Sequence, residues 1–91
     1  MTLDTATHRP SANPTANDIY AALDLGSNNC RLLVAKPVAE GFRVVDAFSR
    51  IVRLGEGVAE NGRLSDAAMT RTLAALDVCA AKLRKRGVTR F

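Results

Sequence analysis

The sequence predicts a small α/β unit in which an antiparallel β-β-β meander precedes one amphipathic helix and the start of a further strand. Three short apolar runs are separated by turn-forming residues, and an apolar stripe with helical spacing follows them. Short connections between successive strands favour hairpins. At 91 residues the chain is long enough for one domain at most, and its hydrophobic core is expected to be thin.

The first two strands flank a polar turn. An apolar run at residues 19–25 predicts strand one, and Gly26 to Asn29 are expected to turn the chain. Strand two is predicted at residues 32–34 and reaches Lys36 at the furthest. Pro37 is expected to limit it, because proline cannot donate to a β-ladder.

A turn at Glu40-Gly41 leads to a third strand, predicted at residues 42–48. Its alternation places one set of side chains on a common face, namely Phe42, Val44, Asp46 and Phe48. Residues 49–64 contain glycines typical of loops, and we expect this segment to cross from the sheet to the helix.

The helix follows Ser65, a predicted N-cap, and Asp66 places a negative charge in its first turn. Gly87 lies where a glycine would end it. The predicted core stripe consists of Met69, Leu73, Leu76, Ala80 and Leu83, with Thr72 and Cys79 at its edges. Residues 88–91 then begin a β-like run, so we expect the chain to be incomplete relative to its fold.

The remaining composition excludes several classes of protein. Residues 1–18 contain few large apolar side chains, which predicts a disordered tail, and they lack the features of a secretory signal. No apolar run is long enough to span a membrane, so we expect a cytoplasmic protein. Cys30 and Cys79 are far apart in the chain, have only His8 as a further nitrogen or sulfur ligand of the zinc-site type, and are predicted to be free buried thiols.

The net charge of +4 does not by itself predict nucleic-acid binding. Five basic residues lie within the last ten positions: Lys82, Arg84, Lys85, Arg86 and Arg90. Basic residues in the last turn of a helix stabilise it through the helix dipole, and no aromatic platform for bases accompanies them. Nucleic acid is therefore not an expected partner.

The turn between the first two strands carries the chemistry. Gly26 permits a positive φ and a close approach of ligand to backbone, and successive main-chain N–H groups in a tight turn can bind an anion. Ser27, Asn28 and Asn29 add polar donors, and the guanidinium of Arg31 can contact a second phosphate group. Asp24 is placed to hold Mg²⁺. The same residues are also ordinary turn formers, so a plain hairpin remains an alternative.

Three segments in register carry a resemblance to a known family. They are residues 22–33 (ALDLGSNNCRLL), residues 50–58 (RIVRLGEGV), and residues 62–65 (GRLS) with Ala68 and Met69. Together they resemble the N-terminal part of the exopolyphosphatase/guanosine pentaphosphate phosphatase (Ppx/GppA) family. The resemblance implies half of a ribonuclease-H-like domain of the actin-like ATPase superfamily. The resemblance implies a hydrolase that, when intact, removes terminal phosphate from polyphosphate or converts guanosine pentaphosphate to tetraphosphate, with Mg²⁺ as cofactor. Polyphosphate and guanosine penta- or tetraphosphate would be its ligands.

The resemblance also implies the role of each loop residue. Asp24 would take the metal, Gly26 to Asn29 the phosphate, and Arg31 the polyphosphate or pyrophosphate of the substrate. The family often has Ser or Thr at the position of Asn29, and asparagine keeps a donor there. The family's catalytic glutamate would lie beyond Phe91, so no catalytic residue is assigned here and the chain alone is expected to be inactive.

Two alternatives remain open from the sequence. A non-catalytic module could bind phosphate or an alarmone through the same loop, and its exposed sheet edge would then predict a homodimer or another partner. A fragment of a sugar or acetate kinase would open with a similar hairpin, and fold alone does not choose the reaction.

Overall fold

The computed structural model describes residues 17–91 and has the predicted order of three strands and a long helix. The strands are β1 (Tyr20–Leu25), β2 (Asn29–Val38) and β3 (Gly41–Ile51), and the helices are α1 (Val58–Asn61) and α2 (Asp66–Arg86). One antiparallel sheet has the order β1-β2-β3. The predicted disordered segment 1–18 lies outside the described residues except for Asn17 and Asp18.

The central strand β2 is longer at both ends than predicted. It begins at Asn29, so that the turn contains only Gly26 to Asn28, and it continues through Pro37 to Val38. The prediction that Pro37 limits this strand was wrong. β1 pairs with β2 only as far as Ala35, so the proline has a neighbouring strand on one side alone, where a missing donor is tolerated.

A bulge in β3 changes which of its side chains share a face. The register steps from Val34 opposite Asp46 to Ala35 opposite Val44, so Val45 is the extra residue. Phe42 and Val44 therefore lie on the outer face of the sheet, whereas Asp46 and Phe48 lie on the face toward α2. The predicted common face for these four residues was wrong because strict alternation does not account for a bulge.

Helix α2 begins and ends where the sequence predicts. The side chain of Ser65 accepts a hydrogen bond from the Ala68 N–H at 3.1 Å, as an N-cap does. Gly87 adopts φ 64° and its N–H donates to carbonyls of the last turn, as expected of a left-handed C-terminal glycine. The short helix α1 was not predicted, and left-handed glycines flank it on both sides.

The core face of α2 differs from the predicted stripe. Its buried residues are Ala68, Thr72, Ala75 and Cys79, whereas Leu73 is 63% exposed and Met69 38% exposed. Leu76 and Leu83 pack at the margin of the core. Small side chains allow the helix to approach the sheet closely, and the larger ones of the predicted stripe lie beside that contact or outside it.

The core lies between α2 and one face of the sheet. β2 contributes alternate residues to it, Cys30, Leu32 and Val34, and Leu23 and Val52 complete it from the flanking segments. The opposite face of the sheet carries exposed apolar side chains, including Leu33, Phe42 and Val44. Within residues 17–91 no helix is both long and apolar enough to cross a membrane.

The last residues of the chain run beside β1. Thr89 and Arg90 donate main-chain hydrogen bonds to Ile19, and Arg90 forms a parallel bridge with Tyr20. This pairing is the predicted start of a further strand. Ion pairs engage three of the five clustered basic residues, since Lys82 and Arg86 contact Asp46 and Arg90 contacts Asp18.

Asp46 is the carboxylate that joins β3 to the end of α2. Its oxygens lie 3.0 Å from Lys82 Nζ and 3.1 Å from Arg86 Nε. Hydrogen bonds from these two cations lower the pKa of Asp46 from 3.8 to about 2.

Candidate functional site

The tip of the first hairpin is a tight turn closed by its own backbone. The Gly26 N–H donates to the Asn29 carbonyl at 2.9 Å, and β2 begins directly afterwards. Gly26 does not have a positive φ, so the turn does not use the conformational freedom that glycine permits. A Cβ built on Gly26 would come no closer than 3.9 Å to the Asn29 carbonyl oxygen, so neither backbone conformation nor internal contact requires glycine here.

One cavity of about 260 Å³ at this hairpin is lined by all of the nominated site residues. They are Asp24, Gly26, Ser27, Asn28, Asn29 and Arg31. Asp24 and Arg31 are directly opposed across β1 and β2, so their side chains lie on the same face of the sheet. Asp24 is exposed and does not enter the apolar core. The fold thus brings a carboxylate, a guanidinium and a polar turn together at one end of the sheet.

The carbonyl groups of the turn point toward a neighbouring segment. Asn28 O accepts from the N–H groups of Val52 at 2.7 Å and Arg53 at 3.0 Å, and Ser27 O accepts from Gly55 at 3.0 Å. Among residues 17–91, the main-chain N–H groups of Ser27 and Asn28 donate no hydrogen bond. With its acceptors engaged and two donors unused, the turn is suited to an anionic ligand.

The segment that supports the turn, residues 52–56, was not recognised as part of the site from the sequence. Arg53 has φ 47°, a left-handed conformation that is uncommon outside glycine. Arg71 of α2 donates from Nε to the Val52 carbonyl at 2.9 Å and from Nη2 to the Arg53 carbonyl at 3.4 Å. The glycines at positions 55 and 57 were interpreted as loop residues and as part of the 50–58 segment that resembles the family, but no contact with the turn was inferred from them.

The acidic residues near the turn are few. Among residues 17–91, no group of three or more His, Cys, Asp or Glu side chains lies close enough to share a metal ion. Asp24 is a single exposed carboxylate beside polar turn residues. Mg²⁺ is commonly bound by one or two carboxylates together with waters and substrate phosphates, so this donor set fits that ion. Glu56 is engaged elsewhere, by Arg53 at 3.3 Å and Arg71 at 3.4 Å.

A pair of thiols lies behind the turn. Cys30 and Cys79 are free and buried, as predicted, with their sulfur atoms 3.9 Å apart. Burial, and secondarily the neighbouring Cys30, raise the pKa of Cys79 to about 11. These sulfurs belong to the hydrophobic layer between β2 and α2 and not to the cavity.

Comparison with known sequences identifies one family. A family model described as the Ppx/GppA phosphatase family matches residues 33–91. The guanosine-5'-triphosphate,3'-diphosphate pyrophosphatase of Aeromonas hydrophila is 49% identical over 53 residues, which is 58% of this chain and 11% of that protein. The protein of the same name from Pseudoalteromonas translucida is 37% identical over 67 residues, covering 74% of this chain and 14% of that protein.

Solved structures show the same fold. A Ppx/GppA family member from Aquifex aeolicus superposes with a TM-score of 0.75 at 27% identity, covering 80% of this chain and 24% of the other. An exopolyphosphatase from Cytophaga hutchinsonii superposes with a TM-score of 0.73 at 24% identity, covering 80% of this chain and 23% of the other. These matches confirm the predicted fold, an antiparallel sheet with a helix as in the actin-like ATPase domain of these proteins.

The chain corresponds to a small part of its relatives, since it spans 11% to 14% of the length of the curated proteins that it matches. Its sequence motifs, the family model and the superposed structures agree with one another. The chain belongs to the Ppx/GppA phosphatase family, of which it represents an N-terminal segment.

Proposed function

We propose that this chain supplies the phosphate-binding turn of a hydrolase that acts on phosphoanhydrides, with polyphosphate or guanosine pentaphosphate as substrate. The observation that supports this most strongly is the single cavity lined by Asp24, Arg31 and the four turn residues between them. The relatives named as guanosine-5'-triphosphate,3'-diphosphate pyrophosphatases and as an exopolyphosphatase indicate the substrate class.

Each residue of the turn has a proposed role in binding. The unused N–H groups of Ser27 and Asn28 would donate to phosphate oxygens, with the side chains of Ser27, Asn28 and Asn29 as further donors. The planar guanidinium of Arg31 would contact a second phosphate group. Gly26 leaves the cavity wall without a side chain. Asp24 would hold Mg²⁺, which when bound would neutralise charge on the phosphate chain.

We propose that residues 1–91 bind such a ligand without hydrolysing it. Hydrolysis requires groups that stabilise the transferring phosphoryl group from more than one side and a base for the attacking water. Within the described residues, Glu56 lines a second cavity with Ser27 and Asn28, and its carboxylate is occupied by two arginines. A base would have to come from elsewhere in a longer protein. Membership of a phosphatase family favours hydrolysis over transfer to a sugar or acetate.

Two measurements on the purified chain test this proposal. Titration calorimetry with inorganic pyrophosphate should give saturable binding that requires Mg²⁺, and Arg31→Gln should weaken it. Assays with polyphosphate and guanosine pentaphosphate should show no Mg²⁺-dependent phosphate release. Absence of saturable pyrophosphate binding by the folded chain would contradict the binding role, and clear turnover would contradict the claim that the chain is inactive.

A further inference from the structure

Arg71 lies on α2, outside the cavity, yet three of its contacts are to the segment that supports the turn. Its Nε donates to the Val52 carbonyl at 2.9 Å, and its Nη2 lies 3.4 Å from both the Arg53 carbonyl and Glu56 Oε1. The side chain is 31% exposed. A guanidinium with donors in a fixed planar fork can bind two successive carbonyl groups, which a lysine ammonium cannot reproduce in the same geometry.

The supporting segment in turn contacts the turn through its main-chain N–H groups. Val52 and Arg53 both donate to the carbonyl of Asn28, and Gly55 donates to the carbonyl of Ser27. Val52 and Arg53 therefore each donate their N–H to the turn and accept a hydrogen bond from Arg71 at their carbonyl. This arrangement connects α2 to the turn through a chain of hydrogen bonds, in addition to the apolar packing of α2 on β2.

The backbone at Arg53 indicates that these contacts impose the conformation of the segment. Arg53 is a non-glycine residue in the left-handed region, a conformation that is energetically unfavourable and persists only where surrounding contacts fix it. The main-chain contacts that fix Arg53 are the hydrogen bond of its N–H to Asn28 and those that its carbonyl accepts, from the Glu56 N–H at 3.0 Å and from Arg71 at 3.4 Å.

We propose that Arg71 is a positioning residue for the phosphate-binding turn. It fixes the carbonyls of Val52 and Arg53, and this orients the N–H groups that hold the carbonyls of Ser27 and Asn28 away from the ligand side. The two remaining N–H groups of the turn are thereby kept available. The effect on affinity rests on the proposed function, whereas the effect on the conformation of the turn does not.

The test separates these two effects by measuring the ligand-free chain first. Hydrogen exchange is followed at the amides of Val52, Arg53 and Gly55, with the buried core of α2 as the reference. In Arg71→Gln, exchange at the three amides should accelerate about tenfold relative to wild type, while core amides of α2 change by less than about twofold. Pyrophosphate affinity in the presence of Mg²⁺ should fall by about tenfold as well.

Three further variants distinguish positioning from a general structural or charge role. Arg71→Lys keeps the charge and the aliphatic stem, and it should not restore slow exchange at these amides. Glu56→Gln removes the ion pair but keeps the bonds of Arg71 to the two carbonyls, and exchange should remain near that of wild type. Arg84→Gln, an exposed arginine on the same helix, is the matched control and should change neither exchange nor affinity.

The outcomes are decisive for each claim separately. Wild-type exchange at Val52, Arg53 and Gly55 in Arg71→Gln, or full rescue by Arg71→Lys, would overturn the positioning role whatever the affinity. If the wild-type chain does not bind pyrophosphate, the proposed function fails, and the exchange data still decide whether Arg71 positions the turn.

Discussion

Asp24 and Arg31 are direct cross-strand partners at the end of the first hairpin, and both line the cavity at its turn. A carboxylate and a guanidinium on the same face of a sheet attract each other, and each is also the type of group that binds one part of a metal–phosphate complex. The cross-strand pairing places Asp24, the proposed metal-binding residue, and Arg31, the proposed phosphate-binding residue, on either side of the same turn.

Substitution of either residue should separate these two roles. Arg31→Gln should weaken pyrophosphate binding about tenfold, because a charge-assisted hydrogen bond is lost. Asp24→Asn should abolish the binding that Mg²⁺ supports, because a neutral amide is a weaker ligand for this ion than a carboxylate. Calorimetric titrations with and without Mg²⁺ measure both. Arg43→Gln, an exposed arginine at the far end of β3, is the control, and an equal loss in that variant would point to net charge as the cause.

Gly26 in the turn and Gly55 beside it should respond differently to the addition of a methyl group. A Cβ at Gly55 would lie 3.3 Å from Ser27 Cβ and 3.7 Å from its carbonyl oxygen, so Gly55→Ala requires Ser27 to shift by a few tenths of an ångström. We expect this variant to lower the free energy of unfolding by about 1 kcal/mol and to weaken pyrophosphate binding. Urea denaturation and calorimetry measure the two effects.

Gly26→Ala is the matched comparison for that substitution. Its Cβ would meet only the Asn29 carbonyl oxygen, at 3.9 Å, and its φ is not positive. Stability should therefore stay near that of wild type, while the methyl group enters the proposed phosphate cavity and reduces affinity. Unchanged affinity in Gly26→Ala would show that the ligand does not approach this part of the backbone.

The sequence predicts where the strands and the helix lie in the chain better than it predicts which of their side chains face the core. Local signals define the caps of α2 at Ser65 and Gly87, and the polar turn between two apolar runs defines the first hairpin. The bulge at Val45 and the core face of α2 depend on how strand and helix meet in three dimensions. Periodicity selects the largest apolar side chains, whereas close contact with the sheet selects Ala68, Ala75 and Cys79.

The same distinction applies to the site. Every residue nominated for the turn lies at one cavity because the nominated residues are neighbours in the first hairpin. Arg71 is 40 or more positions away from the turn, and its role depends on carbonyl groups, which have no signature in a sequence. Long-range contacts to backbone were thus the part of the site that required a structure.

The charge cluster around Asp46 should make stability depend on pH in the acid range. Its pKa is lowered from 3.8 to about 2, first by the hydrogen bond from Lys82 and then by that from Arg86. A carboxylate with a lowered pKa contributes stability that is complete above pH 3.8 and is lost as the pH falls toward about 2. Thermal denaturation across that range should show a steeper loss for wild type than for Asp46→Asn, and Lys82→Gln should fall between them. Parallel curves for wild type and Asp46→Asn would contradict this assignment.

The buried thiols should resist modification in the folded chain. The pKa of Cys79 is raised from 9.0 to about 11, mainly by burial, so its reactive thiolate is about 100-fold rarer near neutral pH than at an unperturbed cysteine. Cys30 is buried against it and equally shielded. Iodoacetamide at pH 8 should therefore label neither residue in the native chain and both in denaturant, as read by mass spectrometry. Labelling of native Cys79 at the rate seen in denaturant would mean that α2 separates readily from β2, and this would also remove the support that Arg71 is proposed to give the turn.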